Sequence, residues 1–193
     1  MPAHDTAWRT IERAIKSIID QDYKEWELIV VKNGTVDEGK IAAKVEPFLE
    51  DKRIKLIAFD QDGACFARNK GAEIATGDYY SFFSSDFVLK PGMLRYWMEQ
   101  FRDTPEAGMI YGGYAWTDDT QPIYRSQEFD QYLLERGLNF IDGAFPVRKE
   151  FYVPWDESLK SLNDWEWVIN LVKNGCKPHF VGEIAYKADL PKP

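Results

Sequence analysis

Apolar positions recur along this chain in blocks whose spacing alternates between helical and strand-like. Trp8, Ile11, Ala14, Ile15, Ile18 and Ile19 fall on one helical face, with Asp5 and Thr6 as candidate caps ahead of it. Glu27 to Lys32 encloses a continuous apolar run, the pattern of a strand covered on both faces, and Asn33 and Gly34 then mark a sharp turn. The same reading predicts a helix from Asp37 to Leu49, a strand from Arg53 to Phe59, and a helix from Ala64 to Ala75 with Gly77 just past its end. A third strand is expected from Tyr79 to Ser84. The second half is less regular. Met109 to Trp116 reads as a strand, Gln127 to Arg136 as a short helix, and Asp164 to Asn174 as an amphipathic helix ended by Gly175. His179 to Val181 and Ile184 to Ala188 are candidate closing strands.

Strands separated by helices of this length imply right-handed crossovers and a mostly parallel sheet. No linker, repeat or low-complexity segment interrupts the pattern, so residues 1–193 read as one α/β domain, a mostly parallel twisted sheet flanked by helices. With 193 residues, 45% of them hydrophobic, the chain can bury one good core. The formal net charge of -8 argues against a nonspecific grip on nucleic acid or anionic membrane. Cys65 and Cys176 have no metal-ligand spacing and fit a reducing compartment. Asp5, Arg9, Glu12 and Arg13 are unlike a signal peptide, and no apolar run approaches the length of a transmembrane segment. A cytoplasmic location is the expectation.

Chemistry enters at Tyr79 to Pro91, an aromatic run that ends on Ser84, Ser85 and Asp86. An unpaired carboxylate at the end of a buried strand costs several kcal/mol, so Asp86 needs solvent, a donor or a cation. In open α/β sheets the carboxyl ends of the strands form the ligand crevice, where a divalent metal carrying a polyphosphate would meet that need. Capping the helix that begins near Pro91 is the competing role for Asp86.

Over nearly its whole length the chain resembles the family 2 glycosyltransferases of GT-A fold. The likeness is carried by Pro2 to Asp5, by Ala14 to Tyr23 (AIKSIIDQDY), by Glu27 to Asp37 (ELIVVKNGTVD), by Gly63 to Gly77 (GACFARNKGAEIATG), and by the triplet Ser84, Ser85, Asp86 at the place of the family's Asp-x-Asp metal motif. The resemblance implies transfer of a sugar from a nucleoside-diphosphate sugar, a UDP-sugar being the expected donor, to an acceptor hydroxyl, with a saccharide the favoured acceptor. Inversion at the anomeric carbon and dependence on Mn²⁺ or Mg²⁺ go with it. Residues 1–105 would form the nucleotide-sugar half and residues 106–193 the acceptor and catalytic half.

Carried onto this sequence, the family pattern makes Asp86 the direct metal ligand, with Asp189 near the place of a late metal ligand. Pro2, His4, Asn33, Arg68, Ser84 and Ser85 fall at donor-binding positions. Asp164, in the segment Asn163 to Glu166, takes the place of the catalytic base, and Trp165 that of an acceptor-lining aromatic. The sequence departs from the pattern at Ser84, where a hydroxyl replaces a carboxylate, at Asn163, which replaces the usual acidic neighbour of the base, and at Lys32 and Asn33, where many relatives carry an aspartate. It also starts at the proline that normally follows a hydrophobic first strand, so that strand is expected to be missing, which favours replacement by another segment or a homodimer. A catalytically degenerate nucleotide-sugar binder and a nucleotidyltransferase are the alternative functions. The loop from Trp116 to Arg125 is expected to set donor and acceptor choice.

Overall fold

The computed structural model describes residues 1–34, 39–117 and 126–189, with Asp5 and Thr6 described by backbone alone. Two sheets form the centre. The first is wholly parallel, in the order β1 (Pro2–Ala3), β2 (Leu28–Asn33), β3 (Ile54–Phe59). The second contains β4 (Tyr79–Tyr80), β5 (Phe87–Leu89), β6 (Met109–Trp116), β7 (Val147–Arg148) and β8 (Pro178–Ala188), in the order β4-β7-β6-β8-β5. Within it β6 and β8 run parallel, and the other pairs are antiparallel.

The helices are α1 (Ile11–Ile19), α2 (Lys40–Val45), α3 (Ala64–Ile74), α4 (Met93–Asp103), α5 (Gln131–Glu135) and α6 (Asn163–Lys173). The apolar stripe of α1 does what its spacing dictates: Ile11, Ala14, Ile15 and Ile18 are buried. Met93, Trp97 and Phe101 anchor α4 in the same way, and Trp167, Val168 and Leu171 anchor α6. The fold class is the expected α/β, and the strand from Met109 to Trp116 and the helices at Ala64 and Asn163 lie where the pattern puts them.

Four elements differ from expectation, each for a local reason. The strand expected from Tyr79 to Ser84 ends at Tyr80, because Ser81 Oγ donates to Ala144 O at 2.5 Å and the Phe82 N–H to Gly143 O at 3.3 Å, drawing the chain toward the loop ahead of β7. The helix expected from Gln127 shrinks to α5, capped by Asp130. Ser126 Oγ, 2.6 Å from the carbonyls of both Gly112 and Phe140, holds the preceding segment as a loop. The two closing strands are one, β8, with a register irregularity where Gly182 adopts φ +69° and the Glu183 carbonyl occupies the space that a Cβ on Gly112 would need. The helix expected from Asp37 is α2 followed by a short 3-10 turn, and the expected start lies outside the described residues. β1 itself has only two residues.

Candidate functional site

Asn33 ends β2 and is 2% exposed, yet its side-chain Oδ1 has no hydrogen-bond partner in the protein. Gly34 turns the chain at φ +85°, and a Cβ there would collide with Asp62 Oδ1 and stand 2.8 Å from the His4 ring. The bare backbone therefore lets His4 Nε2 and Asp62 Oδ1 meet at 3.1 Å, just past β1 and Pro2. Lys32 Nζ donates to Gly34 O at 2.7 Å and braces the turn. This corner holds Pro2, His4 and Asn33 together, with an unused acceptor in the middle.

Ser84 to Asp86 form a second corner. The Ser84 carbonyl accepts the Phe87 N–H at 3.3 Å, which folds the triplet into a turn ahead of β5; Ser85 is buried, and Asp86 Oδ1 is buried without a partner in the protein. The β5–β8 ladder pairs Phe87 with Ala188, so the next residues out are Asp86 and Asp189, joined by the Asp189 N–H to the Asp86 carbonyl at 3.3 Å. The two residues expected to bind metal thus lie side by side at one strand end. They differ in state. Asp189 Oδ2 accepts from Arg13 at 2.6 Å and Oδ1 from Thr117 at 2.8 Å, whereas Asp86 keeps an oxygen open. Helix α1, which follows His4 and carries Arg13, links this corner to the first. Among the described residues no group of three or more His, Cys, Asp or Glu side chains gathers to hold a metal.

The third corner lies at the start of α6. Leu162 takes φ 57° immediately before Asn163, a left-handed conformation unusual for leucine. Arg68, reaching from α3, donates through Nη1 to Asn163 Oδ1 at 3.3 Å, places Nη2 3.6 Å from Asp164 Oδ1, and lies 4.2 Å from the Trp155 ring centre. Trp155 in turn stacks on Trp167 at 4.3 Å. Arg68 Nε and Asp164 Oδ1 are buried and lack hydrogen-bond partners. The arginine therefore ties α3 to α6 and presents a cation beside the predicted base. Trp165 spends its indole N–H on Leu134 O at 2.7 Å, so any contact it makes with a ligand is through its ring.

One residue of this corner is absent from the sequence reading. Asp142, in the loop before β7, accepts the Ala144 N–H at 2.7 Å and stands beside the Tyr186 hydroxyl. Burial first, then the charge of Asp164, pushes its carboxyl up to about 6. Gly143 lets this loop close: a Cβ there would stand 2.7 Å from Asp164 Oδ1. The available signal was an Asp-Gly pair set between apolar neighbours Ile141 and Ala144. Tyr186 stacks on Phe87 at 4.4 Å, which joins this corner to Asp86. Residues 118–125 of the predicted specificity loop lie outside the described residues.

The sequence profile of Glycosyl transferase family 2 matches residues 1–158. Among curated proteins, the chain is 34% identical over 183 residues to the putative colanic acid biosynthesis glycosyl transferase WcaA of Escherichia coli, covering 89% of this chain and 64% of that protein. It is 30% identical to the putative teichuronic acid biosynthesis glycosyltransferase TuaG of Bacillus subtilis, over 58% of this chain and 45% of that one. The chain thus spans less than two thirds of these relatives. Among solved structures, S. aureus TarS superposes with a TM-score of 0.82 at 17% identity, over 98% of this chain and 36% of TarS. TarS residues 1–349 in complex with UDP-GlcNAc superpose at 0.80, with 15% identity, over 100% of this chain and 58% of that one. The mannosyltransferase PcManGT of Pyrobaculum calidifontis, in complex with GDP-Man and Mn²⁺, superposes at 0.73 with 16% identity, over 99% of this chain and 56% of that one. These likenesses show the GT-A fold.

Proposed function

The chain belongs to glycosyl transferase family 2, and from that premise we propose that it transfers a sugar from a nucleoside-diphosphate sugar, a UDP-sugar by preference, to the hydroxyl of a saccharide acceptor with inversion at the anomeric carbon. The observation that carries this reading is Asp164: a carboxylate at the first turn of α6, with one oxygen buried and unpartnered and a guanidinium 3.6 Å away. Asp164 takes the proton as the acceptor oxygen bonds to the anomeric carbon and the bond to the diphosphate oxygen breaks. Arg68 holds Asp164 and Asn163 in place from α3. Asn33 meets the nucleobase edge with its open amide oxygen, alongside Pro2 and His4, and the Ser84 and Ser85 hydroxyls face the ribose side of the donor. Trp165 offers a ring face to the acceptor.

The residues fit a divalent cation in part. Asp86 has an open oxygen suited to a hard cation, and Asp189 lies beside it but is held by Arg13 and Thr117. Asp86 would hold the metal, Asp189 would border it, and the donor diphosphate would complete the ligand set. When bound, the ion would neutralise charge on the departing diphosphate.

A panel of nucleotide sugars and saccharide acceptors, each with Mn²⁺ or Mg²⁺, scored for nucleoside diphosphate release and for thermal shift, tests the reading. Release dependent on donor, acceptor and metal supports it. A second reading, a donor-binding protein without turnover, draws on the hydroxyl of Ser84 in place of a carboxylate, and predicts a thermal shift with no release.

A further inference from the structure

Asp142 and Asp164 come from different parts of the fold, the loop before β7 and the first turn of α6, and the bare backbone of Gly143 brings them together. A Cβ on Gly143 would stand 2.7 Å from Asp164 Oδ1 and 2.6 Å from the edge of the Trp155 ring. Asp164 therefore packs against the peptide that directly follows Asp142. The loop is pinned in that place at three points. Asp142 Oδ1 accepts the Ala144 N–H at 2.7 Å, the Gly143 carbonyl accepts the Phe82 N–H at 3.3 Å, and the Ala144 carbonyl accepts from Ser81 Oγ at 2.5 Å.

Three ionisable side chains face the Asp142 carboxyl: Asp164 from α6, Arg68 from α3 and Tyr186 from β8. Cys65 lies near Arg68 and Asp164, but burial pushes its thiol up, so it adds no charge. Arg68 divides its guanidinium between the neutral Asn163 amide and Asp164, so two carboxylates draw on one cation. Asp142 is only partly covered from solvent, yet its carboxyl sits deep, and burial together with the charge of Asp164 pushes it up to about 6. At neutral pH it is mostly ionised. The Tyr186 hydroxyl, buried and without a hydrogen bond of ordinary geometry, stands beside it and pulls the other way.

A guanidinium beside a general base holds it in place but favours the carboxylate without its proton. A second negative charge works in the opposite sense, because a proton arriving on one carboxylate relieves the repulsion between the two. We infer that Asp142 is a positioning residue for the transfer: its charge, held against Asp164 by the Gly143 loop, offsets Arg68 and readies Asp164 to take the acceptor proton. This role rests on Asp164 as the base. Asp142 takes no proton in the step. The acceptor O–H proton goes to Asp164 as the acceptor oxygen bonds to the anomeric carbon and the bond to the diphosphate oxygen breaks.

Asp142→Asn keeps the oxygen that accepts the Ala144 N–H and removes the charge. The test compares the parent with Asp142→Asn, Tyr186→Phe and Asp164→Asn on both sides of pH 6. Two readouts are used: carbon NMR of labelled aspartate carboxyls in the protein alone, and kinetics with the donor and acceptor pair found in the panel. Asp142 is expected to titrate near 6 in the parent and lower in Asp164→Asn, where the neighbouring charge is gone. At neutral pH, Asp142→Asn is expected to lower kcat about tenfold with both KM values within about twofold, and to abolish the parent's fall in rate as pH drops through about 6. It is also expected to be the more stable protein at that pH, so slower turnover does not come from a loosened fold. Tyr186→Phe keeps the ring stack on Phe87 and is expected to move that fall to higher pH at an unchanged plateau rate. An Asp142 titration that does not move in Asp164→Asn, or an Asp142→Asn enzyme with the parent's kcat and pH profile, would overturn the inference; slow turnover by Asp164→Asn would leave the base assignment standing. Loss of Tm together with both KM values in Asp142→Asn would make the residue structural. Parental turnover by Asp164→Asn would remove the base, and the role of Asp142 with it.

Discussion

Arg68 reaches across from α3 to place Nη2 3.6 Å from Asp164 Oδ1, while its Nη1 bonds Asn163 at 3.3 Å. One side chain, 13% exposed, thereby fixes the first turn of α6 against the first half of the chain. Its plane also lies over Trp155, 4.2 Å from the ring centre. Arg68→Met keeps much of the stem and removes the fork, leaving Asp164 without its cation. Breaking a largely buried pair of this kind costs on the order of 3 kcal/mol, which urea denaturation would measure. Turnover is expected to fall more steeply than donor affinity. Arg68→Lys should recover charge without a second nitrogen to reach Asn163 or a guanidinium over Trp155, and so only part of the activity.

Asp142 makes stability depend on pH in an unusual direction. Its carboxyl is pushed up to about 6 in the folded protein, above its unfolded value, so the folded state holds the proton more tightly. The contribution is fully present below the unfolded pKa, near 4, and is lost as pH rises through about 6. Asp142→Asn imitates the protonated acid. The variant is therefore expected to be more stable than the parent at pH 7.5, by on the order of 2 kcal/mol, with the gap closing as pH falls to 4. Chemical denaturation at several pH values reads both the sign and the window.

Gly34 cannot be replaced without moving the corner that holds His4 and Asp62. Its φ of +85° and the closeness of Asp62 Oδ1 to the space a Cβ would fill make Gly34→Ala both strained and crowded. Strain at such a position costs about 1–3 kcal/mol. The His4–Asp62 contact must open, and donor affinity is expected to fall together with Tm, in contrast to variants at Asp164.

The proposed metal dependence would rest on Asp86. Its open oxygen and the engaged state of Asp189 predict weak binding of Mn²⁺ by the protein alone and stronger binding when UDP is present. Calorimetry with and without UDP measures this. Asp86→Ala is expected to abolish metal-dependent donor binding, and Ser84→Asp to strengthen it. An Asp86→Ala variant that binds donor with an unchanged metal requirement would remove Asp86 from the metal site.

What the sequence made legible follows from where local and long-range forces agree. The Leu28 to Val31 run, the stripe of α1 and the strand from Met109 carry their burial pattern in their own spacing, and they fold as read. The strand beyond Tyr80 does not, because Ser81 and Phe82 bond to Ala144 and Gly143, residues more than sixty positions away whose pull no local pattern records. The Asn163 to Glu166 segment and Asp86 were visible as motifs. The pairing of Asp189 with Arg13 spans 176 positions, and the field between Asp142 and Asp164 arises only when the loop before β7 closes over α6.

The central claim is that Asp164 takes the acceptor proton, and Asp164→Asn tests it most directly. The substitution keeps the shape of the side chain and removes the proton acceptor. With a donor and acceptor pair identified from the panel, donor Kd and kcat are measured for parent and variant under the same metal concentration. The account predicts a donor Kd within about twofold of the parent and a kcat lower by about 10²-fold or more, the scale of general-base catalysis. A variant that turns over at the parent's rate, or one that loses donor binding in proportion to its activity, would contradict it.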